Sequence, residues 1–404
     1  MARTFRSLAV YNFRIWSIGG IVSNIGTWMQ RTAQDWLVLT QLTHQNATAL
    51  GIVMALQFGP MLLLLPVSGF AADHFDRRKL LIGTQLAFAA SALGLGLLTV
   101  TGHVQLWHVY FFALVSGCVA AIDGPARQTF VSDLVDEAHL SNAVALNSLS
   151  FNAARMIGPA VSGLLIPLVG NGWVFLVNVL TFALMIGSLC SLRRAELHMR
   201  ERPARARGRL AEGFRYVWGR PDLKAIMLML FLVGTFGLNF PIYISTMAVT
   251  VFNADSTHYG LLTSLMAVGS VTGALLSARR ARPTSKLLFR ACALFGACFL
   301  LAAMMTNFWL FGLLLFVLGI SAQTFTTSAN SMVQLSTDPL MRGRVMAILL
   351  ATTLGGTPVG APIVGWVADL FGPRWAMGIG AASGLWAALV WFRYQRAAKL
   401  AGAV

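Results

Sequence analysis

The sequence predicts an all-α membrane protein: twelve transmembrane helices in two pseudo-symmetric six-helix bundles. Three observations predict it. Of the 404 residues, 57% are hydrophobic and only 11% charged, a richer apolar share than the roughly half found in soluble domains. The apolar residues fall in blocks long enough to cross a bilayer, which takes ~20 of them. Finally, Lys and Arg are sorted into alternate connections between the blocks.

Residues 80–100, 173–192, 225–252, 257–278 and 345–368 contain no Asp, Glu, Lys or Arg. Residues 291–337 lack them for 47 positions, too long for one crossing, so two spans turn near Thr306-Asn307. The twelve spans then lie at about 13–40, 47–72, 80–101, 104–127, 140–168, 172–192, 224–252, 257–278, 287–306, 308–334, 344–369 and 374–392. The first run carries Arg31 and Asp35 and has no small-residue cleavage site after it, so it reads as a span rather than a signal peptide.

Connections leaving the odd spans are nearly free of Lys and Arg. "LTHQNA", "GHVQ", "VGNG", "NADSTH" and "TN" have none, and the last has only Arg374. The termini and the other connections hold almost all the rest: Arg77, Arg78 and Lys79, a cluster from Arg193 to Lys224, Arg279, Arg280, Arg282 and Lys286, Arg342 and Arg344, and Arg393, Arg396 and Lys399. Cytoplasmic loops are enriched in these residues, so both termini are expected in the cytoplasm. The formal charge of +16 is a product of topology, and a nucleic-acid partner is not expected. Cys118, Cys190, Cys292 and Cys298 lie in apolar spans without metal or redox spacing and read as small core residues. No metal set, nucleophile–base pair or phosphate loop is found, so neither a cofactor nor an enzyme is expected.

The longest hydrophilic segment divides the chain into 1–192, a linker 193–223, and 224–404. At an offset of 202 residues, Gly117/Gly319, Ala120/Ala322, Asp136/Asp338, Ala145/Ala347, Gly158/Gly360, Gly163/Gly365, Gly170/Gly372 and Trp173/Trp375 coincide, as an internal repeat would make them. In the linker, Leu210, Phe214, Val217 and Trp218 recur at helical spacing beside Arg209, Arg215 and Arg220. This predicts an amphipathic helix, either lying on the cytoplasmic leaflet or serving only as a tether.

"GFAADHFDRRKLL", beginning at Gly69, resembles the signature loop of the major facilitator superfamily, with His74 at a usual basic position and Asp76 at a usual Gly. "GTWMQRTAQDWLVLTQLT" in the first span, "DGPARQTFVSDLV" at 123–135 and "LNSLSFNAARMIGPAVSGLL" at 146–165 resemble its bacterial, transmembrane secretion effector-like branch, which includes the enterobactin exporter. The resemblance implies the major facilitator fold and a proton-coupled exporter of a small amphipathic molecule, siderophore or drug-like, in the bacterial inner membrane. Its expected partners are that substrate, protons and the bilayer, and the chain is expected to be a monomer. A nutrient importer, a lipid flippase and a non-transporting receptor are the alternatives.

The resemblance also implies a latch of Gly69, Asp73, Asp76, Arg77, Arg78 and Arg344, in which Asp73 faces the N-terminus of span eleven, whose dipole favours an anion. "GPAVSG" at 158–163 is similar to the antiporter motif of exporters. There Gly158 and Gly163 permit close helix approach and Pro159 can bend the span; a plain packing notch is the other reading.

Arg31 and Asp35, four apart, share a helical face with Asn24 and Trp28. A charge at the centre of a membrane helix costs ~2.5–3.5 kcal/mol by insertion scales, so this face is expected to line a cavity. Asp35 is the candidate proton carrier, with a static pair to Arg31, or a place in the external headgroup layer without a coupling role, as the alternatives. Asp123 and Arg127 are also four apart in span four. Arg155 lies inside span five, on a stripe with Ser148, Asn152, Pro159 and Ser162, and is expected to find Asp123 or Asp35. In the second half, Asn239 and the stripe Gln323, Thr327, Asn330 and Gln334 supply amides and hydroxyls, with Phe236, Phe240, Tyr243, Met266 and Phe325 around them. The candidate substrate cavity is Asn24, Trp28, Asn152, Asn239, Gln323 and Asn330.

Overall fold

The structure, a computed structural model, describes residues 5–64, 75–198, 210–280 and 283–400. In chain order its helices are α1 (Tyr11–Leu37), α2 (Ala47–Leu63), α3 (Arg77–Val100), α4 (Leu106–Phe130), α5 (Glu137–Val169), α6 (Asn171–Cys190), α7 (Leu210–Trp218), α8 (Pro221–Leu232), α9 (Phe240–Thr246), α10 (Ser256–Ala278), α11 (Ser285–Met304), α12 (Phe308–Ser336), α13 (Arg342–Gly355), α14 (Thr357–Phe371) and α15 (Pro373–Leu400). Among the described residues ten helical stretches are long and apolar enough to cross a membrane. They are α3, α4, α5, α6, α8 with α9, α10, α11, α12, α13 with α14, and α15. Two further helices are α2, apolar and described over only 17 residues, and α1, which holds Arg31 and Asp35.

Polar side chains set where these helices start. Asp76 accepts from the Lys79 N–H at 3.0 Å to cap α3, and Asp136 accepts from the His139 N–H at 3.0 Å to cap α5. Asn307 accepts from Trp309 and Leu310 and caps α12, fixing the turn expected near Thr306-Asn307. Gly170 and Gly372, one of the offset pairs, end α5 and α14 with φ of 83° and 96°, a backbone region that glycine enters without steric cost.

The contacts divide the chain into two compact units. The first comprises Met1–His44, Gly59–Ala204 and Asp255–Ser264. In it α1 packs along α5 and α6, and α3 along α4 and α6. A core of Phe13, Trp16, Leu81, Ala126, Phe130, Leu134, Met185 and Leu189 closes the end where α3 begins and α6 finishes. There Asn12 exchanges two hydrogen bonds with the Arg193 backbone, at 3.0 and 2.9 Å.

The second unit comprises Gln45–Phe58, Arg205–Ala254 and Leu265–Val404. In it α11 packs along α12 and α15, and α8 along α15. Phe240, Tyr243, Phe295 and Phe299 form one aromatic cluster. The linker helix α7 docks on α13 through the Arg344–Glu212 ion pair at 2.6 Å, while Phe214 and Trp218 stay exposed.

Two spans expected as continuous helices are broken. The run 224–252 unwinds after a π-helical turn, Val233–Gly237, and restarts at Phe240. Pro241 has no N–H to continue the ladder, and Asn239 fills in by donating to the Thr235 carbonyl at 2.7 Å. The run 344–369 is interrupted at Gly356, just before Pro358. The two breaks lie side by side: Gly356 and Gly360 sit so close to Thr235 that a Cβ on either would collide with it.

Candidate functional site

The charged face of α1 belongs to the first unit. Asp35 is buried, and its carboxylate accepts a hydrogen bond from the Tyr259 hydroxyl at 3.4 Å. Tyr259 is 1% exposed and stacks on Trp36, ring centroids 5.8 Å apart. It stands in the first turn of α10, inside the segment Asp255–Ser264 that packs in this unit. One turn from Asp35, the Arg31 guanidinium lies over the Trp28 ring at 5.1 Å. Arg155, reaching across from α5, lies over the same ring at 5.6 Å.

Glycines in "GPAVSG" bring these helices together. A Cβ on Gly158 would come within 2.6 Å of the Trp28 Cβ, so this position lets α5 touch α1 at Trp28 itself. Gly163 does the same for α10, whose Ser256 carbonyl and Gly260 Cα would be 2.8 and 3.2 Å from an added Cβ. Thr257 donates to the Gly163 carbonyl at 3.1 Å and Ser264 to the Met156 carbonyl at 2.9 Å. Pro159 lies within the unbroken helix α5.

Asp123 is engaged otherwise than expected. It accepts from Arg127 at 3.0 Å on its own helix and from Thr84 at 2.6 Å and Gln85 at 2.9 Å on α3. Gln85 in turn accepts from Ser23 on α1. With three donors already on Asp123, it is not the counter-charge for Arg155. Arg127 stacks over Trp16 at 5.6 Å.

Of the expected latch, Gly69 and Asp73 lie outside the described residues. Asp76 caps α3. Arg77 pairs with Asp133, both oxygens within 2.8 Å of one nitrogen. Arg78 donates to the Leu189 and Cys190 carbonyls and thereby caps α6. The described partners of Arg77 and Arg78 are thus in the first unit, and that of Arg344 is Glu212 in the second.

Of the remaining cavity candidates, Asn24 and Asn152 are half-buried, and Asn152 donates to the Ser148 carbonyl. Asn239 is fully buried at the break between α8 and α9 and its side-chain oxygen has no partner among the described residues. Gln323 donates to Thr327 at 3.1 Å, and Asn330 is exposed. Among the described residues no cluster of His, Cys, Asp and Glu is arranged to hold a metal ion.

Sequence reasoning passed over Tyr259, Thr84, Gln85 and Asp369. The first three are partners across helices, invisible to spacing along one helix. Asp369 left a signal: Gly365-Trp-Val-Ala-Asp369 repeats the pattern Gly69-Phe-Ala-Ala-Asp73. Its carboxylate accepts from the backbone N–H groups of Ala47 at 2.7 Å and Thr48 at 2.8 Å, and from the Thr48 hydroxyl, so it caps the start of α2 within the second unit.

The profile of the transmembrane secretion effector family, a branch of the major facilitator superfamily, matches residues 2–400. The chain belongs to that family. Among its relatives, the staphyloferrin A transporter of Staphylococcus aureus is 24% identical, with 93% of this chain and 94% of the relative covered. The multidrug efflux pump Tap of Mycolicibacterium fortuitum is 25% identical, covering 87% and 88%, and the enterobactin exporter EntS of Shigella flexneri 24%, covering 83% and 80%. A bacterial homologue of the human lysosomal transporter Spinster, solved inward-facing and unoccupied, superposes with a TM-score of 0.77 over 96% of each chain at 13% identity. A D-xylose–proton symporter superposes with a TM-score of 0.72, covering 95% and 97% at 14% identity. These structures show the fold. This transmembrane secretion effector is therefore a multi-span membrane transporter of the major facilitator type, and its family is one of carriers rather than enzymes.

Proposed function

We propose that this protein is a proton-coupled exporter of small amphipathic molecules, working by alternating access as a monomer in the bacterial inner membrane. In this reading α1 and α2 join the ten apolar stretches as the twelve crossings. Residues 1–192 and 224–404 are pseudo-symmetric six-helix halves joined by 193–223, and both termini are cytoplasmic. Repeated packing supports the pseudo-symmetry. Gly158 receives α1 and its offset partner Gly360 receives Thr235 in the run 224–252; Gly163 receives the start of α10 and its partner Gly365 the start of α2.

One observation carries the coupling: a buried carboxylate inside α1, Asp35, tied by Tyr259 to the start of α10. That helix begins in the first unit and ends in the second. A ligand or proton shifts a two-state equilibrium only through contacts that differ between the states. Protonation of Asp35 removes the negative charge that faces Arg31 and accepts from Tyr259, and so loosens α10. In the same reading, Arg31, Asp123, Arg127 and Arg155 complete the charge network. Asn24, Trp28, Asn152, Asn239, Gln323 and Asn330 line the substrate path. Asp73, with Gly69, Asp76, Arg77, Arg78 and Arg344, forms the cytoplasmic latch. Export is preferred to import because relatives named as exporters and efflux pumps cover most of the chain.

The test is flux in proteoliposomes under an imposed pH gradient, with a panel of catechol siderophores and lipophilic cations. The wild-type protein drives at least one of them against its gradient. Asp35→Asn abolishes driven flux and leaves downhill exchange. Driven flux that survives in Asp35→Asn excludes Asp35 as the proton carrier.

A further inference from the structure

Three groups of the first unit meet at one indole. Arg31 from α1 and Arg155 from α5 both place their guanidinium carbons within 6 Å of the Trp28 centroid, at 5.1 and 5.6 Å. Two cations gathered on one ring repel each other, and an indole face offsets only part of what each loses on leaving water. Asp35 faces Arg31 along α1, while the charge that acts on Arg155 is the like charge of Arg31. Arg155 has no carboxylate within salt-bridge distance among the described residues, and Asp123 is occupied by Arg127, Thr84 and Gln85.

A surplus arginine inside a membrane helix marks a pathway for something that pairs with it. A guanidinium presents a planar fork matched to a planar oxyanion, which it can grip through two parallel hydrogen bonds. Beside the charge stands an aromatic wall. Phe151, one turn before Arg155, meets the Trp28 ring edge-on at 6.0 Å and is 48% exposed. Gly158 fixes this geometry, because the α5 backbone touches α1 at the Trp28 Cβ.

We propose that Arg155, with Arg31 and Trp28, forms an anion-recognising cradle, and that the exported molecule carries a carboxylate or similar planar oxyanion on an aromatic or apolar body. The word exported rests on the function proposed above; the binding does not. Arg155 grips the oxyanion, Arg31 supplies the second charge, and Trp28 and Phe151 receive the body.

The experiment uses the full chain in lipid nanodiscs and three probes of one skeleton: 1-naphthoate, neutral 1-naphthamide and 1-naphthylmethylammonium. Titration calorimetry is expected to show naphthoate binding about tenfold or more tighter than the amide, the size of one charge-assisted contact, with the ammonium weakest. In Arg155→Gln the naphthoate preference disappears while amide affinity stays the same, which also shows that the variant is folded. Arg155→Lys, with the charge but not the fork, falls between. A wild-type protein that fails to bind naphthoate or does not discriminate among the probes overturns the cradle, as does an Arg155→Gln protein that keeps the preference. A protein that binds naphthoate selectively but drives no flux overturns export and leaves the cradle standing. One that exports the ammonium in preference overturns the cradle alone.

Discussion

Asp123 is the acid whose environment is most fully drawn, with three donors from two helices and its Arg127 partner largely buried. Removing one partner of such a buried network leaves the others with unmet hydrogen bonds, at a cost of about 3 kcal/mol. Asp123→Ala is therefore expected to lower the thermal midpoint of the detergent-solubilised protein by several degrees; an unchanged midpoint would show the network to be idle. At this scale the sequence revealed pairs within one helix, because four-residue spacing puts Asp123 beside Arg127 and Arg31 beside Asp35. It hid Tyr259 and Thr84, whose roles arise only when α10 meets α1 and α3 meets α4. Of the two carboxylates expected for Arg155, Asp123 or Asp35, the first is engaged instead by Arg127 and by donors from α3, and spacing along one helix does not reveal the α3 contacts.

Helix starts are the second level of control. Asp369 holds three donors at the beginning of α2, where the helix dipole also favours an anion. Asp369→Ala is expected to destabilise this helix start by about 1–2 kcal/mol, read as faster amide exchange at Ala49 and Leu50; unaltered exchange would rule out the cap. Acid acts on the other starts. The His139 side chain and backbone, hydrogen-bonded to Asp136, hold its carboxyl below the usual carboxylate range. At Asp255 burial pushes upward, but hydrogen bonds from His258 outweigh it and the carboxyl again lies low. A carboxyl lowered in the folded state stabilises it fully above the unfolded pKa, and this contribution disappears as pH falls through the lowered value. Exchange protection at the first turn of α5 should thus hold through mildly acidic pH and fail only below the ordinary Asp range. Loss of protection between pH 6 and pH 7, well above the ordinary Asp pKa of about 3.9, would contradict it. The broken spans were legible as residues, Pro241 and Pro358, but a hydropathy average runs across them without a dip.

For the molecule as a whole, hydropathy and the sorting of Lys and Arg gave the helical class and the number of crossings proposed. They gave no hint that Gln45–Phe58 packs with the second unit and Asp255–Ser264 with the first, because such exchange depends on contacts between distant segments, among them Thr257 with Gly163 and Thr48 with Asp369. The central claim is two six-span halves with the linker and both termini inside the cell. It is tested most directly by impermeant maleimide labelling of single cysteines in a chain whose four native cysteines are replaced by Ala. Arg200→Cys in the linker should label only in inverted vesicles, and Asn253→Cys, ahead of α10, only in intact cells. Labelling of Arg200→Cys from outside, or of both positions from one side, would contradict it.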